Sequence, residues 1–166
     1  MIKVTFRLLP FVFLVLLISF IINSKGNSQP RALKKKIKRE KFEEAIAIAN
    51  EEIKRYPVNK NGSALHQQTV LERALPYYIA LGQVYAAMGQ YERAEQAYLD
   101  AKEVSEERIR LTSGTNKIRD IDLDLLDGLA EIQLESGNYQ GAGKLLEYVI
   151  NLRHDKYKKK SVKRYR

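Results

Sequence analysis

The 166-residue sequence predicts an all-α chain: a stack of antiparallel helix hairpins behind one N-terminal transmembrane helix. Three observations predict it. An uncharged apolar run, Leu8 to Ile22, lies near the N-terminus. Beyond a polar linker, apolar residues recur at the three-to-four-residue spacing of an amphipathic helix. Finally, three segments superimpose without gaps: 41–49 (KFEEAIAIA), 90–98 (QYERAEQAY) and 138–146 (NYQGAGKLL). Each has an aromatic followed three residues later by alanine (Phe42/Ala45, Tyr91/Ala94, Tyr139/Ala142), and the copies lie 49 and 48 residues apart.

The apolar run comes first in the chain. A helix needs about 20 apolar residues to cross a bilayer, with a lower bound near 17. The run has 15, and Val4, Thr5 and a snorkelling Arg7 extend it to a span over 4–22. The competing reading is a cleaved signal peptide with Lys3 and Arg7 as its basic start, although Ser24-Lys25-Gly26 is a poor cleavage site. Lys and Arg are denser after the span than before it, which places the folded part on the cytoplasmic side of a single-pass protein. Export to the periplasm or envelope is the alternative.

Charge divides the rest. The net +9 conceals basic ends around an acidic middle: residues 42–152 hold 11 basic and 18 acidic side chains. Residues 25–41 and the C-terminus from Arg153 hold eight basic residues each. Cysteine is absent, which excludes disulfides, thiolate metal sites and cysteine nucleophiles. His66 and His154 lie too far apart in sequence to suggest a metal pair. No phosphate-cradling glycine loop or nucleophile–base constellation is visible, so neither an enzyme nor a cofactor is expected. Asp120, Asp122, Asp124 and Glu131 match positions 1, 3, 5 and 12 of a calcium loop, but Leu125 stands where its turn requires glycine.

The middle copy carries a family signature. Tyr78, Leu81, Gly82 and Tyr85 read as W-x2-L-G-x2-Y with tyrosine for tryptophan. Gly89 follows as the turn, then Tyr91, Ala94, Tyr98 and Ala101. This resembles a tetratricopeptide repeat. The third copy keeps Leu126, Leu129, Ala130, Gly137, Tyr139, Ala142, Leu146 and Val149, with Gln133 in place of the usual tyrosine. The first keeps Phe42, Ala45, Ala49 and Pro57, and its opening helix has to come from Pro30–Arg39. The resemblance implies close packing of two helices at Gly82 and Ala94, and left-handed turns at Gly89 and Gly137.

The family period is 34 residues, so about 14 are added per repeat. Helical periodicity continues through them (Ile109 and Leu111; Ile118, Ile121 and Leu125), which predicts helices of roughly 30 Å. Pro76 predicts a kink or a fresh start at Leu75. The expected organisation is an anchor over 1–24, a linker over 25–30, a helical domain over 31–156 and a basic tail over 157–166. Within the helical domain the partial repeat covers 31–57 and the full ones 65–112 and 117–155.

Repeats of this kind present their first helices along a groove that binds peptides or helices. The positions carried over by the resemblance are Ile79, Gln83, Ala86 and Ala87, with Asp127, Glu131, Leu134 and Glu135. An acidic, partly apolar groove favours a basic or amphipathic helical partner. The competing reading leaves these carboxylates solvating a helix face. The basic tail reads as a solvated end or as an anionic-lipid contact through Lys158, Lys159 and Lys160, matched by Lys34, Lys35 and Lys36 near the span. The acidic middle argues against nucleic acid, although Tyr157 and Tyr165 are able to stack on bases. Together these readings give a membrane-anchored scaffold or adaptor that mediates protein–protein interaction, with an exported structural assembly protein as the alternative.

Overall fold

The computed structural model describes residues 30–57, 62–112 and 118–164, in which there are six α-helices and no strand. They are α1 (Arg31–Lys38), α2 (Phe42–Arg55), α3 (Ala64–Ala87), α4 (Tyr91–Leu111), α5 (Asp120–Glu135) and α6 (Tyr139–Arg164). The predicted membrane span and linker residues 25–29 lie outside the described residues. Among those described, no helix is long and apolar enough to cross a membrane.

Three tight turns organise the helices, and they are built alike. After α3, Gly89 has φ +71°, with Gly89 N–H donating to the Ala86 carbonyl at 3.0 Å and Gln90 N–H to that of Tyr85 at 2.9 Å. After α5, Gly137 has φ +84°, and Gly137 and Asn138 donate in the same way to Leu134 and Gln133. This is the left-handed helix stop the sequence predicts at both glycines. After α1 the same two bonds run from Glu40 and Lys41 to Ile37 and Lys36, with Glu40 at φ +57°. Residues 40, 89 and 137 therefore hold equivalent positions, and the first copy makes its turn without a glycine. Its opening helix exists, as one buried anchor shows: Leu33 is fully enclosed on α1.

Every helix packs on the next, and α3 also touches both α1 and α5. The core runs through Leu33, Ala45, Ala49, Leu75, Ile79, Val84, Ala94, Tyr98, Ala101, Leu125 and Leu129. Burying a leucine of this kind contributes about 1.5–3 kcal/mol. Small residues admit one large ring at its centre. A methyl group at Gly82 on α3 would lie 2.8 Å from the Tyr98 ring, and one at Gly128 on α5 would lie 2.5 Å from it. Gly82 was expected to let two backbones meet; what it accommodates is a tyrosine from α4.

The helices differ in length from the expectation. α3 and α4 have 24 and 21 residues, about 36 and 32 Å. α5 has only 16, because Ile118, read as part of its extension, precedes the helix and packs beside Leu123, Leu126 and Val149 instead. The third copy gains its length on the other helix: α6 runs 26 residues, past the expected boundary at 156 and through most of the basic tail. Pro76 sits inside α3 without restarting it. Lacking an N–H, it leaves the Glu72 carbonyl without its usual intrahelical donor.

Candidate protein-binding site

The eight groove positions do not form one surface. Ile79 is 1 % exposed in the core and offers nothing to a partner, which corrects its assignment to the groove. The periodicity of α3 explains this, since Leu75, Ile79 and Gly82 share the buried face. Asp127 is half-buried and directs its carboxylate at Arg153 of α6. Burial raises the Asp127 acid group above its ordinary range, and Arg153 offsets this only in part. Its charge is thus spent inside the molecule. Gln83, Ala86 and Leu134 are half-buried, and Ala87 and Glu135 are exposed, near the C-terminal ends of α3 and α5. Glu131 is half-buried on the face that meets Tyr98, where burial and then Glu131 and Asp124 push the phenol upward.

Gln83 adds an unexpected feature. Among the described residues no donor reaches its buried Oε1, nor Oε1 of Gln133. An enclosed acceptor left unpaired costs about 1–3 kcal/mol, so these two amides are polar points at which the interior is incompletely satisfied. Gln133 stands where the family has tyrosine, and its Nε2 donates to Glu95 of α4 at 3.2 Å.

The most enclosed polar site was not anticipated. Arg108 of α4 donates through Nη2 to both carboxylate oxygens of Asp122 on α5, at 2.8 and 2.7 Å, with side chains only 2 % and 5 % exposed. Ser105 donates its hydroxyl to the same carboxylate, and the Arg119 N–H adds a fourth bond at 2.7 Å. Arg119 reaches on to Glu72 of α3. Burial opposes the Glu72 charge, but Arg119 and Gln68 win and lower its acid group. A signal for this network was present: Ala94, Ala97, Ala101, Ser105 and Arg108 follow one helical stripe, whose last two members are polar. Asp122, one of the discounted calcium-loop positions, is therefore structural. Among the described residues no group of acidic or histidine side chains is placed to hold a metal.

A cleft of about 820 Å³ opens between the first half of α3 and the second half of α4. Val104 and Tyr78 contribute apolar surface above the buried Leu71, and Asp100, Glu103, Glu106 and Glu107 line it with the cation Arg110. Burial, then Asp100 and Glu103, raise the Tyr78 phenol. Sequence reasoning missed this site because the family resemblance directs attention to the opposite ends of the helices.

The lipid-contact lysines divide as well. Lys34 and Lys35 are exposed on α1, whereas Lys36 is paired with Glu44. Lys36 and then Lys41 hold the Glu44 carboxyl down to about 2. Lys158, Lys159 and Lys160 are on the helical backbone of α6, but their side chains lie outside the described residues. In comparisons with known proteins, no family model, no curated protein and no solved structure matches this chain.

Proposed function

We propose that this protein is a membrane-tethered scaffold of tetratricopeptide-like repeats that recruits a protein partner. The observation that carries the reading is the threefold turn at Glu40, Gly89 and Gly137, with identical hydrogen bonding at near-constant spacing. The contacts of α3 with α1 and α5 support a solenoid in which first helices line up side by side. The acidic middle, with Glu131 and Glu135 on α5, favours a basic or amphipathic helical partner. The apolar run over 8–22 supports a tether, and exposed Lys34 and Lys35 suit an anionic leaflet beside it.

The end of the stack supplies a further reason to expect a partner. α6 leaves Tyr139, Tyr148 and Ile150 exposed, apolar surface of the kind that partners cover. Crosslinking pull-down with the intact chain in its membrane tests the proposal. A stoichiometric protein should be recovered and should be lost on charge reversal at Glu131 and Glu135. Recovery of no stoichiometric protein would remove the adaptor reading.

A further inference from the structure

The cleft between α3 and α4 adjoins the end of α2, which is short. α2 stops after 14 residues at Arg55, with Tyr56 and Pro57 behind it, whereas its counterparts α4 and α6 have 21 and 26. Its last turn reaches Tyr77, where Glu52 and Tyr56 act on the phenol. The next residue, Tyr78, already lines the cleft. Two further turns of α2, about 10 Å, would have run along this surface. What remains is a slot with an apolar base and an acidic rim. Among the described residues Glu103 has no ion pair, while Glu106 pairs with Lys102 and Glu107 with Arg110, each about one turn away.

An occupant must therefore be a short basic helix with a few apolar or aromatic side chains. Of the two described segments of this kind, α1 is already committed to the core through Leu33, which leaves the end of α6. Residues 156–164 are the helical end of α6 and hold six Lys or Arg, no acid, and Tyr157 and Val162. This segment cannot enter its own cleft. α6 is seated on α5 through Val149 against Leu123 and Leu126, and Arg153 is tied to Asp127. Among the described residues α6 packs mainly on α5, with no comparable contact to α3 or α4. A second molecule has no such restriction.

We propose that the α3–α4 cleft receives the basic C-terminal helix end of a second copy of this chain, so that the protein self-associates by tail exchange. Apolar contact on Tyr78 and Val104 fixes the depth of the inserted helix, and the carboxylate rim fixes its sign of charge. Reciprocal exchange between two copies closes the assembly as a dimer.

Sedimentation velocity of the full chain in detergent micelles tests this. At low salt and micromolar concentration the particle should contain at least two chains. It should dissociate at about 1 M salt, where the screening length is about 3 Å. Glu103→Lys with Glu107→Lys should weaken association at least tenfold, and Lys158→Glu, Lys159→Glu and Lys160→Glu together should do the same. All five positions are surface positions or helix-end lysines, so circular dichroism should show unchanged helix content. Mixing the two variants should restore association, because the reversed cleft now accepts the reversed tail. A monomer at low salt would overturn the proposal, as would association indifferent to both variants, which would assign it to the apolar span. None of these readouts depends on a foreign partner, so failure here leaves the adaptor reading to its own experiment.

Discussion

The first hairpin and the second use the same plan at different scale. α1–α2 has Phe42, Ala45 and Ala49 where α3–α4 has Tyr91, Ala94 and Tyr98, and its turn makes the same two hydrogen bonds. Yet α1 and α2 bury only Leu33, Ala45 and Ala49 fully, whereas α3 alone buries ten residues. Helix length makes this difference. Stability in such a stack comes from the apolar face each helix can cover, and an eight-residue helix covers little. The first hairpin is thus held by α3 rather than by itself, and its turn tolerates a glutamate in a left-handed conformation that the longer hairpins assign to glycine.

The largest test of that contrast strikes the long region. Asp122→Ala leaves the Arg108 guanidinium enclosed without its counter-ion and should cost about 3–5 kcal/mol in denaturant unfolding. Adding Arg108→Met should recover most of the loss, because removing both charges eliminates the unpaired one. If Asp122→Ala alone were tolerated, α4 and α5 would not depend on this pair.

A smaller effect of opposite sign is expected in the short region. Glu40→Gly relieves a left-handed non-glycine residue and should stabilise by about 1 kcal/mol, read as slower amide exchange in α1 and α2. Gly137→Ala should destabilise by a similar amount at the equivalent turn. Equal responses at both sites would support one shared turn design.

The smallest effect is a pH dependence at Asp127. Burial raises its folded-state pKa, so the folded chain binds this proton more tightly than the unfolded one. That contribution is present below the unfolded value of about 3.9 and is lost as pH rises through the raised folded value. Asp127→Asn should therefore lie within about 1 kcal/mol of the parent at neutral pH, on the stabilising side, since Arg153 is part-exposed and keeps its water. The difference should shrink toward pH 3 or so, where Asp127 itself is neutral, as thermal melts at the two pH values would show.

The turns and the core stripe were legible because they rest on residue types with few alternatives. Gly89 and Gly137 follow helical runs, and alanine recurs where helices come close. Ile79 was misplaced because a family position was carried over without asking which face of α3 its own neighbours bury. Arg108 and Asp122 were missed because charged residues on a helix usually face water, and only the stripe from Ala94 through Ser105 indicated otherwise. The helical end of α6 was read as a tail because a lysine run looks solvated. Lysine is nevertheless a good helix former, and nothing from Lys156 to Arg164 breaks the helix. The cleft was invisible because no motif marks it: its lining is spread over 67–78 and 100–110, and only the packing of α3 on α4 brings these together.

The Tyr98 ring has a consequence for motion. Its Cδ2–Cε2 edge faces Gly82 and its Cε1 edge faces Gly128, so the two edges sit against different helices. A half-turn of the ring about its axis exchanges those edges and sweeps through space that α3 and α5 both occupy. The ring can turn only when the helices on either side draw back together. Its flipping rate is therefore a clock for breathing of the central three helices, and separate resonances for its two edges would mark how rarely they part.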